Sequence, residues 1–446
     1  MTTVSGQEES PSGPVYIIQS GDTLYAIALR FGVTVDDLIR ANTFIDPNIL
    51  SAGAELVIPG LEGIQGKLIT EGIPLGQNLY SLSRYYGVSK DLLYRINRLT
   101  SPAEVYAGSN LIVPQSDNPK FLQGVQALRE GESALEWAIS HNANPWTTAL
   151  DNQVSAPNHL IPSEGLFITS ADFVEPPNPL APLATSLSLS PLPLVQGNTT
   201  VIRIETSAPA TISGSLNGYP LHFVQVGDSQ YLTIQGIHAM ATPGLAEFSI
   251  TIDAGENSYR SFSQMVLLQQ GFFAQDPPLN VDPATIDKAI TVPEDELLRT
   301  TTTPVTDPRY WDGIFKLPVD EPWCIKSWYG NRRSYNQSDY VYFHTGLDYG
   351  VCATLNIYAP AAGKVVFSGP LDVRGNSTVI DHGWGVYSGI WHQAEILVAE
   401  GDMVEAGQLI GLIGGTGRVT GPHLHWEVWA NGVQVDPLQW LDNAYP

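Results

Sequence analysis

The chain has 446 residues, which predicts about three domains at a typical domain size. It carries 21 Lys+Arg against 45 Asp+Glu, a net charge of −24. Because nucleic-acid binding needs basic residues that displace counterions, this balance excludes a nucleic acid as partner. Apolar residues make up 43% and charged residues 15%, which excludes a disordered chain. No run of apolar residues is long enough for a transmembrane segment.

The N-terminal part contains a sequence that repeats with a period of 55 residues. The first copy has Gly21-Asp22-Thr23-Leu24-Tyr25, then Phe31-Gly32-Val33, and closes with Leu56-Val57-Ile58-Pro59. Equivalent residues recur in a second copy and, with several losses, in a third copy that includes Gly131, Leu135, Asn152 and Leu166. Such a period indicates a repeated small module.

Each copy predicts the order strand, helix, helix, strand. In the first copy a strand over Val15 to Ile18 precedes a helical spacing of apolar residues, with Asp22 or Thr23 as the cap. Gly32 ends that helix, and a second helix runs from Thr34 to Ala41. The stretch GDTLYAIALRFGVTVDDLIRAN resembles a LysM module, a βααβ fold that binds N-acetylglucosamine-containing glycans such as peptidoglycan.

The resemblance implies three small βααβ LysM-like modules, over residues 14–60, 66–116 and 121–170. The second copy departs from the pattern at Gln77 and Asn78, and the third is degenerate. A small helical repeat without glycan affinity stays open as the alternative for the third copy.

The middle of the chain predicts a linker, a β-domain and a connector. Residues 171–194 are rich in proline and read as a semi-rigid linker. Residues 185–272 show short alternating strands, at 200–205, 221–224, 231–234 and 246–252, typical of an Ig-like antiparallel β-sandwich. We interpret it as a structural spacer. Residues 273–310 form a second connector, helical around 286–298.

The C-terminal residues 311–446 are again β-rich, and they hold five of the nine histidines. His423 and His425 lie two residues apart, so on an extended strand both side chains point to one face. His344 and Asp348 have an even spacing as well, and can face the same centre. Two imidazoles and one carboxylate leave a position free for water, as in catalytic zinc sites. The same three groups can hold Fe(II), so the ligand types leave the metal open.

This region resembles the lysostaphin-type (LytM-like) zinc metallopeptidase family. The resemblance is carried by HTGLDYG, YAPAAGKVVFSG, GNSTVIDHGWGVYS and VAEGDMVEAGQLIGLIGGTGRVTGPHLHWEV, in family order and spacing. It implies an antiparallel β peptidase domain that binds one Zn²⁺ through His344, Asp348 and His425. It also implies two catalytic histidines, His423 and His392.

Expected roles follow from the residue types. Zinc lowers the pKa of bound water toward about 7 and polarises the scissile carbonyl. With no HExxH helix to supply a glutamate base, His423 is the candidate to take the proton from water. His392 would orient the water or stabilise the developing oxyanion. Its context, Ile390-Trp391-His392-Gln393, departs from the usual Tyr-x-His-Leu of the family.

Several other residues have two interpretations. His382 is read as a strand-end residue near a turn. Asn331-Arg332-Arg333 could line the cleft, but a solvated surface pair is favoured. Trp384, Trp391 and Trp426 are core aromatics or walls of a peptide groove. The two cysteines, Cys324 and Cys352, fit either a disulfide in an exported protein or two buried thiols.

The modules together predict a secreted peptidoglycan hydrolase. Its LysM-like modules would bind the glycan strands and its zinc endopeptidase domain would cut the wall peptides, so the protein is expected in the extracellular space or cell envelope. The precursor is therefore expected to carry an export signal, which is absent from this sequence. The alternatives are a non-catalytic wall-binding scaffold or activator of other hydrolases, and a general protease.

Overall fold

The computed structural model describes residues 13–42, 49–61, 64, 66–115, 121–125, 131–152, 154–160, 166–170, 180, 183–255, 258–351 and 353–446. The chain divides into two compact units. The first comprises Met1–Thr185 with Gln264–Val266, and the second comprises Ser186–Ser263 with Leu267–Pro446. Among the described residues, no helix has the length and apolarity needed to cross a membrane.

The first unit passes three times through the predicted order of strand, helix, helix and strand. The first pass consists of β1 (Val15–Ile17), α1 (Leu24–Phe31), α2 (Val35–Ala41) and β2 (Glu55–Val57). The second consists of β3 (Lys67–Gly72), α3 (Leu79–Tyr85), α4 (Lys90–Asn97) and β4 (Asn110–Gln115). The third consists of β5 (Phe121–Val125), α5 (Ala134–Ser140), α6 (Pro145–Asp151) and β6 (Leu166–Ser170). Short 3-10 turns span Pro102–Glu104 and Pro157–His159.

Caps and turns explain where the helices of the first repeat begin and end. Thr23 caps α1 by accepting a hydrogen bond from the amide of Ala26. Gly32 ends α1 with φ 71°, a left-handed conformation that favours glycine. Thr34 caps α2 through a capping box with Asp37. The prediction that Asp22 or Thr23 caps α1 is therefore resolved in favour of Thr23.

An asparagine at equivalent positions ties each of the first two helix pairs to its closing strand. The side-chain amide of Asn42 donates to the carbonyls of Leu38 and Val57, and its Oδ1 accepts from the Val57 amide. Asn97 makes the same three bonds with Leu93 and Ile112. The two asparagines are 55 residues apart, so the sequence period corresponds to the same set of hydrogen bonds in both repeats.

The first two repeats share one four-stranded sheet, in the order β2-β1-β3-β4. Strand β1 is antiparallel to β2 but parallel to β3, with Val15 opposite Lys67 and Tyr16 opposite Leu68. One cluster of buried residues serves both repeats, from Tyr16 and Ile27 through to Leu93 and Val113. In the third repeat β5 and β6 form their own two-stranded antiparallel sheet.

The second unit begins with two sheets. Their nine strands are β7 (Ala184–Ser190), β8 (Leu194–Val195), β9 (Thr199–Thr206), β10 (Thr211–Leu216), β11 (Tyr219–Pro220), β12 (Val224–Gly227), β13 (Gln230–Gly236), β14 (Gly244–Asp253) and β15 (Tyr259–Gln269). One sheet has the order β11-β10-β14-β15-β8 and the other β12-β13-β9-β7. These sheets fit a β-domain, whereas the immunoglobulin-like type stays a prediction. The strand predicted at 221–224 begins only at Val224, because Leu221 instead turns back to bond the Gly214 carbonyl. Of the proline-rich linker predicted over 171–194, residues 171–179, 181 and 182 lie outside the described residues. Its C-terminal part is not a linker, because Ala184–Ser190 and Leu194–Val195 are strands of these sheets.

The helix α7 (Lys288–Thr302) follows, after a 3-10 turn at Pro283–Ile286. It matches the helix predicted around 286–298, shifted toward the C-terminus. The side chain of Asp287 caps its start by accepting from the Ala289 amide.

The C-terminal region is built on a ten-stranded sheet and ends in α8 (Leu438–Asp442). Its strands, with a separate hairpin of β17 and β18, are β16 (Ile325–Ser327), β17 (Arg332–Arg333), β18 (Tyr342–Phe343), β19 (Leu347–Gly350), β20 (Asn356–Tyr358), β21 (Gly363–Leu371), β22 (Gly375–Gly383), β23 (Val386–Ile396), β24 (Met403–Val404), β25 (Leu409–Ile413), β26 (His423–Ala430) and β27 (Val433–Val435). A 3-10 turn at Pro322–Cys324 precedes β16. Cys324 is disulfide-bonded, and Cys352 lies outside the described residues.

One hydrophobic core runs from the β-domain into this sheet. It includes Leu232 and Ile234 of β13 together with Leu347, Ile390 and Trp426. Gly236 marks the close approach, because a Cβ there would lie 2.7 Å from a Val435 methyl. The β-domain therefore packs directly against the domain that carries the histidines.

Candidate active site

Strand β26 lies between β19 and β23 and brings the candidate residues together. Asp348 of β19 is directly opposite His425, and Trp391 of β23 is opposite His425 on the other side. His344 lies three residues before Leu347, the first residue of β19. Gly346, between His344 and Asp348, allows this segment to approach β26 closely, since a Cβ there would lie 2.1 Å from the Trp426 carbonyl oxygen.

Three candidate ligand atoms converge at one point. His344 Nε2 lies 2.9 Å from Asp348 Oδ1 and 2.9 Å from His425 Nδ1, and His425 Nδ1 lies 2.7 Å from Asp348 Oδ1. The three residues are almost fully buried and form a group that could hold a metal ion.

The other ring nitrogens decide which tautomer each histidine adopts. His344 Nδ1 lies 2.8 Å from the Trp328 carbonyl oxygen, which can only accept, so this nitrogen carries the proton. His425 Nε2 lies 3.0 Å from Glu427 Oε1 and donates to that carboxylate. In the neutral rings, two nitrogen lone pairs and a carboxylate oxygen therefore face one another. A cation at their centre satisfies all three, which is the fit expected of a metal site.

The pKa values point to the same charge preference. Burial would raise the pKa of Asp348, but the two histidines hold it well below its usual range. Burial lowers the pKa of His344 to about 4. Burial also opposes the charged form of His425, yet Asp348 and Glu427 outweigh it and raise its pKa. The pocket thus keeps Asp348 ionised and His344 neutral, while attracting positive charge.

The two candidate catalytic histidines lie beside this group. His423 Nε2 is 3.6 Å from Asp348 Oδ1, and its Nδ1 donates to the Gly421 carbonyl at 2.8 Å. The His392 ring centroid is 4.9 Å from that of His423. His392 Nδ1 donates to the Thr416 carbonyl at 2.8 Å, and burial lowers its pKa to about 3. Each neutral ring thus has an unprotonated Nε2 available.

The histidines open onto a cleft of about 1190 Å³. Its lining extends well beyond the strands that hold them. Helix α7 contributes residues including Thr291, Asp295 and Leu298, and the loop after β13 contributes His238 and Met240. The cleft is therefore a composite of the β-domain, the connector and the C-terminal sheet.

Two charged residues that sequence reasoning did not assign complete the site. Glu427 is 1% exposed and accepts from Thr345 Oγ1 at 2.6 Å and Gln434 Nε2 at 3.1 Å, besides His425. Burial would raise its pKa, but its partners, His425 foremost, lower it to about 2. The alternation that pairs His423 with His425 extends to Glu427 and could have found it.

The favoured interpretation of Arg333 as part of a solvated surface pair is wrong, because Arg333 lines the cleft, as the other interpretation had it. Its side chain is 14% exposed, and its Nη2 donates to Asp348 Oδ2 at 3.2 Å and to Ser327 Oγ at 3.0 Å. The neighbouring Asn331 is also buried and donates to Asp276. Arg333 is brought to the site by the pairing of β17 with β18. No local sequence pattern predicts the register of that pairing.

The remaining candidates belong to the core. His382 is fully buried at the end of β22, between the Ala362 carbonyl and the Ser388 hydroxyl, so it lies away from the site as expected. Trp391 and Trp426 are fully buried. Trp391 also borders the cleft, while Trp384 packs against Trp311.

Known proteins resemble two parts of this chain. Residues 342–437 match peptidase family M23, and residues 16–59 and 75–114 match the LysM domain. The peptidoglycan DD-endopeptidase ShyA of Vibrio cholerae is 38% identical over 124 residues, covering 28% of this chain and 29% of that protein. The DD-carboxypeptidase/endopeptidase Mpg of Neisseria meningitidis is 41% identical over 95 residues, covering 21% and 22%. The chain thus spans less than a third of the length of these relatives.

Among solved structures, the antimicrobial peptidase lysostaphin from Staphylococcus simulans is 31% identical. The match covers 22% of this chain and 44% of that chain, with a TM-score of 0.21.

Proposed function

Since this chain contains a domain of peptidase family M23 and LysM domains, we propose that it is a zinc-dependent endopeptidase of bacterial peptidoglycan. One observation carries the proposal: three buried lone pairs, on His344, Asp348 and His425, face one another beside a large open cleft. The relatives named DD-endopeptidases support the cutting of peptide cross-links. They also support an envelope or extracellular location.

Zinc fits this donor set, with His344 Nε2, Asp348 Oδ1 and His425 Nδ1 as ligands, and the match to peptidase family M23 favours it over Fe(II). When bound, it supplies Lewis acidity and water of lowered pKa. Arg333 holds the second oxygen of Asp348, so the first is free to face the metal. Trp328 and Glu427 fix the tautomers of the two ligand histidines.

The catalytic histidines take different parts in the reaction. His423 accepts the proton of the attacking water at its Nε2, because its Nδ1–H is committed to Gly421. It then returns that proton to the leaving amine. His392 has a bare Nε2 for the same reason, so of its two expected roles, orienting water is favoured over stabilising an oxyanion. The latter would need a donor at that nitrogen.

The N-terminal unit supplies targeting in this proposal. Its LysM repeats bind glycan strands while the C-terminal domain takes the attached peptides, and tethering raises the local substrate concentration. The strand and helix order of residues 121–170 supports a third LysM-like module. The two sheets within 185–272 support an Ig-like sandwich that braces the catalytic domain.

Digestion of purified peptidoglycan sacculi tests the activity. We expect the full chain to release peptide-cleaved fragments, seen by mass spectrometry, and a chelator to stop the release until zinc is added. The variant His425→Ala should be inactive, whereas His222→Ala, which changes an exposed histidine outside the cleft, should keep wild-type activity. Binding to sacculi without any product would contradict the proposal and favour a scaffold. Cleavage that resists chelation would contradict the metal assignment.

A further inference from the structure

Helix α7 carries a buried carboxylate whose hydrogen-bond partners lie outside the helix. Glu294 is 6% exposed. Its helix lies before residues 342–437, the part of the chain that matches the peptidase family. A buried carboxylate is stable only when hydrogen bonds compensate for its lost hydration. Its neighbour on the next turn, Arg299, faces solvent and pairs with the exposed Glu296. Glu294 therefore points to a specific partner.

That partner is the turn before β22. Glu294 Oε2 accepts from the amide of Val373 at 2.8 Å, and Oε1 accepts from the amide of Arg374 at 3.2 Å. Arg374 Nη1 also donates to Oε1, at 2.7 Å. Three donors on two consecutive residues thus converge on one side chain and fix the backbone at 373–374.

The same backbone holds His392. The carbonyl of Arg374 accepts from the His392 amide at 2.9 Å. His392 has φ 63°, a left-handed conformation that costs a non-glycine residue free energy and persists only where its surroundings impose it. The amide of Arg418 donates to the Val373 carbonyl at 2.8 Å. This bond ties in the loop whose Thr416 carbonyl receives the His392 ring proton.

We infer that Glu294 is a positioning residue for His392. From α7 it holds residues 373–374, these hold the His392 backbone, and the ring is thereby kept 4.9 Å from that of His423. The inference rests on the proposed function, in which His392 orients water. It means that the catalytic apparatus extends outside the family domain, because a helix of the connector sets the geometry of one histidine.

The test is Glu294→Gln in the full chain, with Glu296→Gln as the matched control on the same helix. Glutamine replaces one of the two acceptor oxygens by an amino group, which must face either the Val373 amide or the donors of Arg374. We expect kcat on sacculi to fall by about 10- to 100-fold, as small misplacements of catalytic groups do. The KM and the zinc dissociation constant should stay within about twofold. The control should match the wild type in all three.

Hydrogen exchange at the His392 amide gives a readout independent of activity. It should accelerate in Glu294→Gln and stay unchanged in Glu296→Gln, because only the former loosens the Arg374 carbonyl that accepts from this amide. Should Glu294→Gln fail to melt cooperatively, Glu294→Asp, which keeps the charge on a shorter side chain, undergoes the same measurements with a smaller expected effect.

Three results would overturn the inference. A folded Glu294→Gln variant with unchanged kcat would remove the link to His392. A rise in KM alone would make α7 a substrate wall, and a loss of zinc affinity would place the effect on the ligands. If the wild type cuts no sacculi, the proposed function fails, and unchanged His392 exchange would then separately overturn the positioning role.

Discussion

Replacing Glu427 by glutamine measures how much the support behind a ligand histidine contributes to metal binding. The carboxylate is buried and receives donors from His425, Thr345 and Gln434. Glutamine has nearly the same shape and can still accept from His425 and Thr345 through one oxygen. Its amino group, however, faces the amide nitrogen of Gln434, and the negative charge is gone.

The size of the effect follows from these bonds. A hydrogen bond to a charged group contributes about 1.5–3 kcal/mol and a neutral one about 0.5–1.5 kcal/mol. Losing the charge from the His425 bond therefore weakens metal binding by about 1–1.5 kcal/mol, which is about tenfold in the dissociation constant. The variant Glu427→Ala leaves the His425 N–H with only the Thr345 hydroxyl, at 3.4 Å, and should approach about 100-fold, the upper end for such supporting groups.

Titration of the metal-free protein with zinc, in competition with a chromophoric chelator, measures this constant directly. The absorption spectrum of the cobalt-substituted protein should also change in Glu427→Gln, because the ligand field at His425 is altered. The control is Glu395→Gln, an exposed glutamate on β23, which should bind zinc as the wild type does. A Glu427→Gln dissociation constant within about twofold of the wild type would refute the reasoning.

Three further outcomes are expected. Gly346→Ala forces β19 and β26 apart and should cost about 1–3 kcal/mol in urea unfolding, together with weaker zinc binding; unaltered binding would contradict this. Asn97→Ala loses three hydrogen bonds and should cost about 1–3 kcal/mol, with an unchanged melting temperature counting against it. Burial raises the pKa of Asp436 from 3.8 to about 6. As the pH rises, the unfolded chain therefore loses the Asp436 proton at a lower pH than the folded chain does. Stability should therefore fall by up to about 3 kcal/mol as the pH rises from about 4 to 6. Asp436→Asn should be stabilised above pH ~6 but not below pH ~4; an equal shift at both would exclude the mechanism.

The parts of the fold set by local sequence were the predictable ones. The first two βααβ repeats are predictable from helix caps, helix-ending glycines and apolar spacing. Each of these signals depends only on residues a few positions away in the sequence. The candidate site residues were found because strand alternation places His423 and His425 on one face, and the even spacing of His344 and Asp348 lets both face the same centre. The resemblance then assigned His344, Asp348 and His425 as ligands and His423 as catalytic.

Residues whose role depends on pairing between distant segments were not assigned to the site. Arg333 reaches Asp348 only because β17 pairs with β18, and Glu294 reaches Arg374 across 80 positions of chain. Composition and periodicity are silent about such contacts, since neither residue differs from a solvated charge in its own neighbourhood. The interpretation of 331–333 as a surface segment erred for this reason.

The parallel pairing of β1 with β3 has a consequence for dissecting the N-terminal region. A βααβ repeat that stood alone would expose its own strand edges, whereas here β3 covers one edge of β1. Truncation after the first repeat, or removal of residues 13–61, would uncover a strand with unpaired amides and carbonyls, which invites edge-to-edge aggregation. The two repeats should therefore unfold in one cooperative transition. A fragment meant to report the glycan affinity of one repeat must keep both.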